Sequence, residues 1–209
     1  DKPFQLADIN SAYPYAMLHS HPISTEYDIK HRVTDNLERL ERSLVKVRCQ
    51  SHGALPFRTE SGKLIFPNDN VMRDYMVTGW EFVAALQTNT IKRAQVLEVR
   101  EFTECVDFAD YINYFYEERL KAKAVGDKAN DIYSKLFMNS LYGKFASNPD
   151  KYRRYELIPM EHVLEAEQDG YEFGGELGGW AIMQRRLEDM EKTYYNIATS
   201  ASITGFVRA

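Results

Sequence analysis

Cysteine is nearly absent from the sequence. The two that occur, Cys49 and Cys105, stand far apart without a Cys-x-x-Cys spacing. That excludes a disulfide framework and a zinc ribbon and leaves two reduced, structural thiols. Long apolar runs are missing as well, so nothing approaches the ~20 residues that a bilayer-spanning helix needs. The N-terminus lacks the basic, apolar, small-residue order of a signal peptide. The expectation is a soluble cytoplasmic protein with no membrane contact. Positive charge is not in excess either: 26 Lys and Arg stand against 31 Asp and Glu, a net charge of −5. A surface that grips nucleic acid on every side by neutralising phosphates is therefore excluded. Repeats and low-complexity linkers are also lacking, so any subdivision must come from changes of pattern.

What is present is a globular composition with a strong aromatic component, 14 Tyr and 11 Phe, enough to build a substantial core. Basic residues are few but bunched, in Lys30-His31-Arg32, Arg119 to Lys123, Lys151 to Arg154 and Arg185-Arg186. Each bunch by itself suits a solvated face.

The hydrophobic pattern changes period along the chain. Pro3 to Ile9 alternates as a strand, with Phe4, Leu6 and Asp8 on one side. Ser11 as N-cap and Pro14 in the first turn predict a short helix carrying Tyr15, Met17 and Leu18, stopped by His19 to Pro22. From Ile23 to Glu104 the text is mainly strand-like. Val45, Val47 and Cys49 share one face, and Glu60-Ser-Gly62 joins Leu55-Pro-Phe57 to Leu64-Ile-Phe66 as a hairpin. Thr78-Gly-Trp-Glu81 has the form of a capping box, opening a helix that buries Phe82, Ala85 and Leu86 before a strand near Ile91 to Val99.

From Asp107 the period becomes helical, with Phe108, Tyr111, Ile112 and Phe115 on one stripe running to a C-cap at Gly126. A second helix over Lys128 to Tyr142 follows at once, so the pair should pack as an antiparallel hairpin. Strand-like text returns at Tyr155 to Ile158 and Gly179 to Met183, and a helix from Leu187 to the terminus closes the chain, its Ala198, Ala201 and Gly205 permitting close packing. The glycine-rich Gly174 to Gly179 lacks the Lys-Ser/Thr of a phosphate-binding P-loop and reads as a hairpin tip. His19 and His21, with no carboxylate or thiolate nearby, read as surface residues rather than metal ligands.

Two stretches carry chemistry. In Asp8-Ile-Asn-Ser-Ala-Tyr-Pro14, a carboxylate ends a strand with the Ile9 carbonyl beside it, a hard-oxygen pair suited to Mg²⁺. Tyr13 lies just past it, where a ring can pack under a sugar and leave no room for a 2′-hydroxyl. Taken alone, the same residues also suit a helix-capping acid and a core aromatic. In Lys135-Leu-Phe-Met-Asn-Ser-Leu-Tyr-Gly143, the spacing i, i+4, i+7 sets Lys135, Asn139 and Tyr142 on one helical stripe. A cation, an amide and an aromatic then face one ligand, as a nucleotide would require. Gly143, directly after Asn-Ser-Leu-Tyr in mid-pattern, is unfavourable unless something needs the space. Arg119 and Lys123, four apart, share a face of the preceding helix and with Lys135 form a candidate phosphate clamp.

Asp8 to Pro14 resembles the first catalytic motif of family B DNA polymerases, and Lys135 to Gly143 resembles their fingers motif, Lys-x-x-x-Asn-Ser-x-Tyr-Gly. The continuation Lys144-Phe-Ala-Ser-Asn-Pro149 is similar to the protein-primed branch of bacteriophages and mobile elements. The resemblance implies an α+β fold: a partial palm of antiparallel sheet and helices, a two-helix fingers hairpin and a mainly β insertion. The implied segments are 1–22 for the palm with its first motif and 23–106 for a palm insertion that meets a priming protein and DNA. Residues 107–148 would be the fingers, and 149–209 a β-hairpin loop region with the return to the palm.

The implied activity is DNA-directed DNA synthesis from dNTPs on primer-template DNA, with two Mg²⁺ ions. Asp8 would bind both ions, the Ile9 carbonyl one, and Tyr13 would be the steric gate. Lys135 would be catalytic through the incoming triphosphate, assisted by Arg119 and Lys123. Asn139, Tyr142 and Gly143 would line the nascent base pair. Departures are Ala12 in place of the commoner leucine, Asp131 one turn before Lys135, and the absence of the second metal motif, Asp-Thr-Asp, from these residues. The resemblance sets that motif just past Ala209, so a fragment inactive by itself, completed by the remainder of a polymerase chain, is expected. A non-catalytic DNA- or protein-binding module of the same architecture is the alternative.

Overall fold

The computed structural model of the chain describes residues 11–33, 36–147, 153–186 and 195–209. The strand expected over Pro3 to Ile9, with Asp8 and Ile9, lies outside them, as do residues 187–194 of the last expected helix. Two compact units form, one from residues 1–145 with 196–209, the other from 146–195.

In the first unit a four-stranded antiparallel sheet supplies one core. Its strands are β2 (Tyr27–Lys30), β3 (Leu44–His52), β6 (Asn68–Thr78) and β7 (Ile91–Phe102), in the order β2-β7-β3-β6. The alternation in β3 sends Val45, Val47 and Cys49 to the covered face, all without exposed surface. They pair with Val77, Tyr75 and Arg73 of β6. Each apolar side chain so buried contributes on the order of 1.5–3 kcal/mol.

Helices α2 (Leu37–Glu41) and α3 (Gly79–Gln87) lie on that face through Leu40, Phe82, Val83 and Ala85. The capping box is present: Thr78 Oγ1 accepts from Glu81 N–H at 3.3 Å, and Glu81 Oε2 accepts from Thr78 N–H at 3.1 Å. Leu86, expected inside, is 46% exposed. It sits ~100° round the helix from Ala85, past the edge of the stripe that reaches the sheet. Gly79 allows α3 to start against the end of α2, because a Cβ there would lie 1.7 Å from the Leu40 carbonyl oxygen. The hairpin of β4 (Phe57–Arg58) and β5 (Leu64–Ile65) forms as expected, with Gly62 at φ +81° in its turn.

A second core gathers helices from distant parts of the chain: α1 (Ala12–Ala16), α4 (Ala109–Val125), α5 (Lys128–Phe145) and α7 (Ile197–Arg208). Ala16, Met17, Ile112, Met138 and Ile203 are its buried residues. Gly126, at φ +73°, stops α4, and Asp127 starts α5 by accepting the Asn130 N–H at 3.1 Å. The tight turn sets the two helices antiparallel. Tyr111 Oη donates to the Phe137 carbonyl at 3.0 Å, Phe115 stacks on Phe137 with ring centres 5.0 Å apart, and Phe108 meets Phe145. The second helix runs three residues beyond the expected Tyr142. Gly205 brings α7 onto α3, a Cβ at that position falling 2.1 Å from Thr78 Oγ1.

The long β segment leaves and rejoins this helical core at one place. The two-residue strands β1 (His21–Pro22) and β8 (Cys105–Val106) pair antiparallel, and Ile23 N–H donates to the Glu104 carbonyl at 3.0 Å. A second clasp is made by Asn196, which is buried. Its N–H donates to the Phe145 carbonyl at 3.0 Å, its Oδ1 caps α7 by accepting from Thr199 N–H at 3.1 Å, and its Nδ2 donates to the Ile23 carbonyl. Thr199 Oγ1 adds a bond to the Pro22 carbonyl.

The second unit is a three-stranded antiparallel sheet in the order β10-β11-β9: β9 (Arg153–Pro159), β10 (Glu172–Leu177) and β11 (Trp180–Arg186). Gly178 and Gly179, both at positive φ, form the two-residue turn between β10 and β11. A short helix, α6 (Val163–Gln168), precedes β10 and had no clear pattern in the sequence. Ala181 and Met183 are buried, and Tyr171 Oη donates to Glu156 at 2.7 Å. The molecule is thus α+β, with antiparallel sheets and a helical hairpin.

Replacing Asn196 by Ala removes a helix cap and leaves the Ile23 carbonyl without its donor, a loss expected to be about 2 kcal/mol or more. Asn196→Asp keeps the cap but sets a carboxylate against that carbonyl, and should also destabilise. Urea unfolding followed by circular dichroism measures both; two variants with the parent midpoint would show that this junction carries no stability.

Candidate functional site

The site is built where α1 meets α5. Pro14 lies in the first turn of α1, where its missing N–H removes no helical bond. Ser11 does not cap the helix with its side chain as the sequence suggested. It adopts a left-handed conformation, φ 58° and ψ 38°, whereas a capping serine needs extended backbone. Its carbonyl still accepts from Tyr15 N–H at 2.9 Å. A left-handed serine costs roughly 1–2 kcal/mol. Ala16 and Met17 seal α1 against α4, α5 and α7, leaving Tyr13 on the side of α5.

There Tyr13 stacks on Tyr142, ring centres 3.9 Å apart and planes within 7°. The two aromatics that the sequence separated by more than a hundred residues face each other, both half-buried. Burial, and then the neighbouring Tyr13 hydroxyl, push the Tyr142 phenol above its ordinary value. Rings this close leave no space between them, so a planar ligand at this point must part them or lie along their edges. A cleft of about 380 Å³ lies elsewhere, among Lys30, Arg42, Glu101 and Cys105 of the mainly β segment.

On the same helix, Lys135 is exposed and its ammonium has no ion pair among the described residues. Asn139 donates its amide to the Lys135 carbonyl at 2.7 Å, which leaves its carbonyl oxygen as an acceptor. Among the described residues, and apart from its own helix and chain neighbours, nothing lies within 4 Å of where a Gly143 Cβ would stand.

Of the three cations expected to act together, Arg119 is paired within the hairpin. Arg119 Nε donates to Asp131 Oδ1 at 2.7 Å, tying α4 to α5 and spending one positive charge inside the hairpin. Asp131 was noted in the sequence as a departure, but the pairing depends on the hairpin register, which sets position 119 opposite 131. The same register separates Lys123 from Lys135 by roughly 12 Å along the hairpin axis. Both ammonium groups stay exposed, and their long side chains can approach one anion from two sides.

Among the described residues no three His, Cys, Asp or Glu gather as a metal site. The candidate ligands Asp8 and Ile9 lie outside those residues. His21, expected at the surface, is fully buried, because α7 from the far end of the chain closes over it.

The fold as a whole is similar to that of solved polymerases. Structures of Phi29 DNA polymerase complexed with primer-template DNA, and with primer-template DNA and incoming nucleotide, match 96% of this chain at a TM-score of 0.56 and 20% identity. The chain spans 32% and 33% of those two proteins. The family described as DNA polymerase type B, organellar and viral, matches residues 1–176. The DNA-directed DNA polymerase of Enterobacteria phage PRD1 is 33% identical over 204 residues, covering 97% of this chain and 35% of that enzyme. A probable DNA polymerase of Agaricus bitorquis is 28% identical over 173 residues, or 74% of this chain and 19% of its own length. The chain belongs to the organellar and viral type B DNA polymerases, and it spans about a third or less of the relatives it matches.

Gly143→Ala is expected to stabilise the fold by about 0.5–1 kcal/mol, since a helical glycine is being replaced where a methyl meets no described residue outside its own helix. Thermal unfolding measures this; a destabilised variant would mean that the fold itself needs the glycine.

Proposed function

We propose that this chain is the palm-and-fingers portion of a protein-primed-type DNA polymerase that joins deoxynucleotides to a primer hydroxyl on a DNA template. The observation that carries the reading is the Tyr13–Tyr142 stack, on a helix that also presents Lys135 and the open space at Gly143. An incoming nucleotide displaces the stack, its base pair lying against Tyr142 and Asn139 and its sugar against Tyr13. In that position a 2′-hydroxyl collides with the Tyr13 ring. Lys135 holds the triphosphate as a point charge, with Lys123 as a second cation and Arg119 adding to the field from its pair with Asp131. The template strand passes where Gly143 leaves room.

Asp8 and the Ile9 carbonyl are the oxygen ligands for Mg²⁺ in this reading. The bound ions supply activation of the primer hydroxyl and neutralisation of the departing pyrophosphate. Asp-Thr-Asp does not occur in the 209 residues, so the chain by itself is not expected to extend a primer. Residues 23–106 form the palm insertion that meets a priming protein and DNA, 107–148 the fingers, and 149–209 the hairpin region and the return to the palm. The reaction is cytoplasmic; among the described residues no helix is long and apolar enough to cross a membrane.

In the complete polymerase, Asp8→Ala should lower nucleotide incorporation by at least about a hundredfold while primer-template affinity stays near that of the parent. Tyr13→Ala should retain synthesis but admit ribonucleotides more readily. Single-nucleotide incorporation with dNTP and rNTP, together with a DNA-binding titration, measures both. Full activity in Asp8→Ala would end the metal assignment, and unchanged sugar discrimination in Tyr13→Ala would end the gate assignment.

A further inference from the structure

Behind α1 lies a buried polar chain that nothing in the reaction described so far employs. His21 has no exposed surface. Its Nε2 is 2.8 Å from the Ala16 carbonyl, its Nδ1 is 2.9 Å from Ser202 Oγ, and Trp80 Nε1 is 3.2 Å from the same hydroxyl oxygen. The direction of each bond follows by elimination. A carbonyl only accepts, so Nε2 carries the proton. Burial pushes the imidazole down to about 4, so the ring is neutral near pH 7 and Nδ1 accepts. Ser202 therefore donates to Nδ1 and accepts from the indole N–H. The chain runs in one direction, from Trp80 on α3 through Ser202 on α7 and His21 on β1 to the end of α1.

The last link matters because α1 has only five residues, far too few to hold its own geometry in isolation. Its C-terminal end is fixed from outside. The Met17 carbonyl takes Phe108 N–H at 2.9 Å, and the Ala16 carbonyl takes the His21 ring. Tyr13 lies one turn before Ala16, on the same face at i, i+3. Phe206 packs against His19 and Trp80, ring centres 4.5 and 4.9 Å away, and lies edge-on to His21 at 6.4 Å. Displacement of α1 by ~1 Å carries the Tyr13 ring with it, a distance comparable to the hydroxyl it must exclude.

We propose that His21, held by Ser202 and Trp80, is a positioning residue for the sugar gate: through the Ala16 carbonyl it sets where Tyr13 stands opposite Tyr142, and so sets discrimination between deoxy- and ribonucleotides. The inference rests on the reading of Tyr13 as the gate. A purely structural role would change incorporation of both nucleotide classes by one factor, whereas a positioning role changes their ratio.

The test uses the complete polymerase and single-nucleotide incorporation, taking kcat/KM for a dNTP and the matching rNTP. Ser202→Ala removes the donor to Nδ1 and the acceptor for Trp80, and His21→Leu removes both ring bonds. Each should reduce the dNTP/rNTP ratio by about tenfold, the size of one lost buried hydrogen-bond arrangement. His21→Gln, whose amide can still donate to the Ala16 carbonyl, should recover most of the ratio. In a Tyr13→Ala background, Ser202→Ala should leave the ratio where Tyr13→Ala puts it, because its effect passes through the ring.

If Tyr13→Ala relaxes the ratio while folded Ser202→Ala and His21→Leu keep the parent value, the positioning inference is overturned and the gate stands. If Tyr13→Ala itself leaves the ratio unchanged, the gate reading falls and this inference with it. Should His21→Leu not accumulate as folded protein, the milder Ser202→Ala decides.

Discussion

Asn196 is the point on which the first unit turns. One buried side chain and its N–H reach the end of α5, the start of the β segment and the first turn of α7. Those three places are separated in the chain by two long excursions, one returning through the β1–β8 pair and the other between Phe145 and Asn196. The closure entropy of a loop grows only slowly with its length. Large insertions are therefore tolerated provided their two ends are pinned together, and here both pairs of ends are pinned at neighbouring positions. The helical core of α1, α4, α5 and α7 is then a frame assembled from segments that never adjoin in sequence.

That frame brings Tyr13 to Tyr142. Neither helix could do so alone: α1 is short and begins on a strained Ser11, and the inner face of α5 is occupied by Ser134 and Met138. Two local choices run against helical preference, the left-handed serine before α1 and the glycine at position 143. Both lie beside the tyrosine pair, and among the described residues outside its own helix no atom would meet a Cβ at Gly143. Local conflicts of this kind gather where function asks for something that stability does not. The region matched by the type B polymerase family, residues 1–176, includes both motifs.

Charge tells a more modest story. The chain is acidic overall, and the basic residues of the hairpin do not form one open patch. Arg119 is spent on Asp131, an interhelical pair that is partly shielded and thus worth more than a surface ion pair, though its net value stays small. Lys123 and Lys135 stay exposed on either side of that pair. One arginine of the hairpin thus serves its stiffness rather than its surface charge.

Much of this was legible in the sequence because it depends on period and on local chemistry. Alternation put Val45, Val47 and Cys49 inside. Thr78 with Glu81 announced the start of α3, Gly126 the end of α4, and the spacing of Lys135, Asn139 and Tyr142 one face of α5. Those features need only neighbours within a few residues, which is why the sequence by itself determined the element types, the helical hairpin and the family motifs. Contacts between distant segments were not legible. The burial of His21 by α7, the exposure of Leu86, the capture of Arg119 by Asp131 and the stacking of Tyr13 on Tyr142 each depend on where another element comes to rest. Only the tertiary structure decided them, because a side chain's surroundings are set by packing, and packing is a property of the whole chain rather than of any window along it.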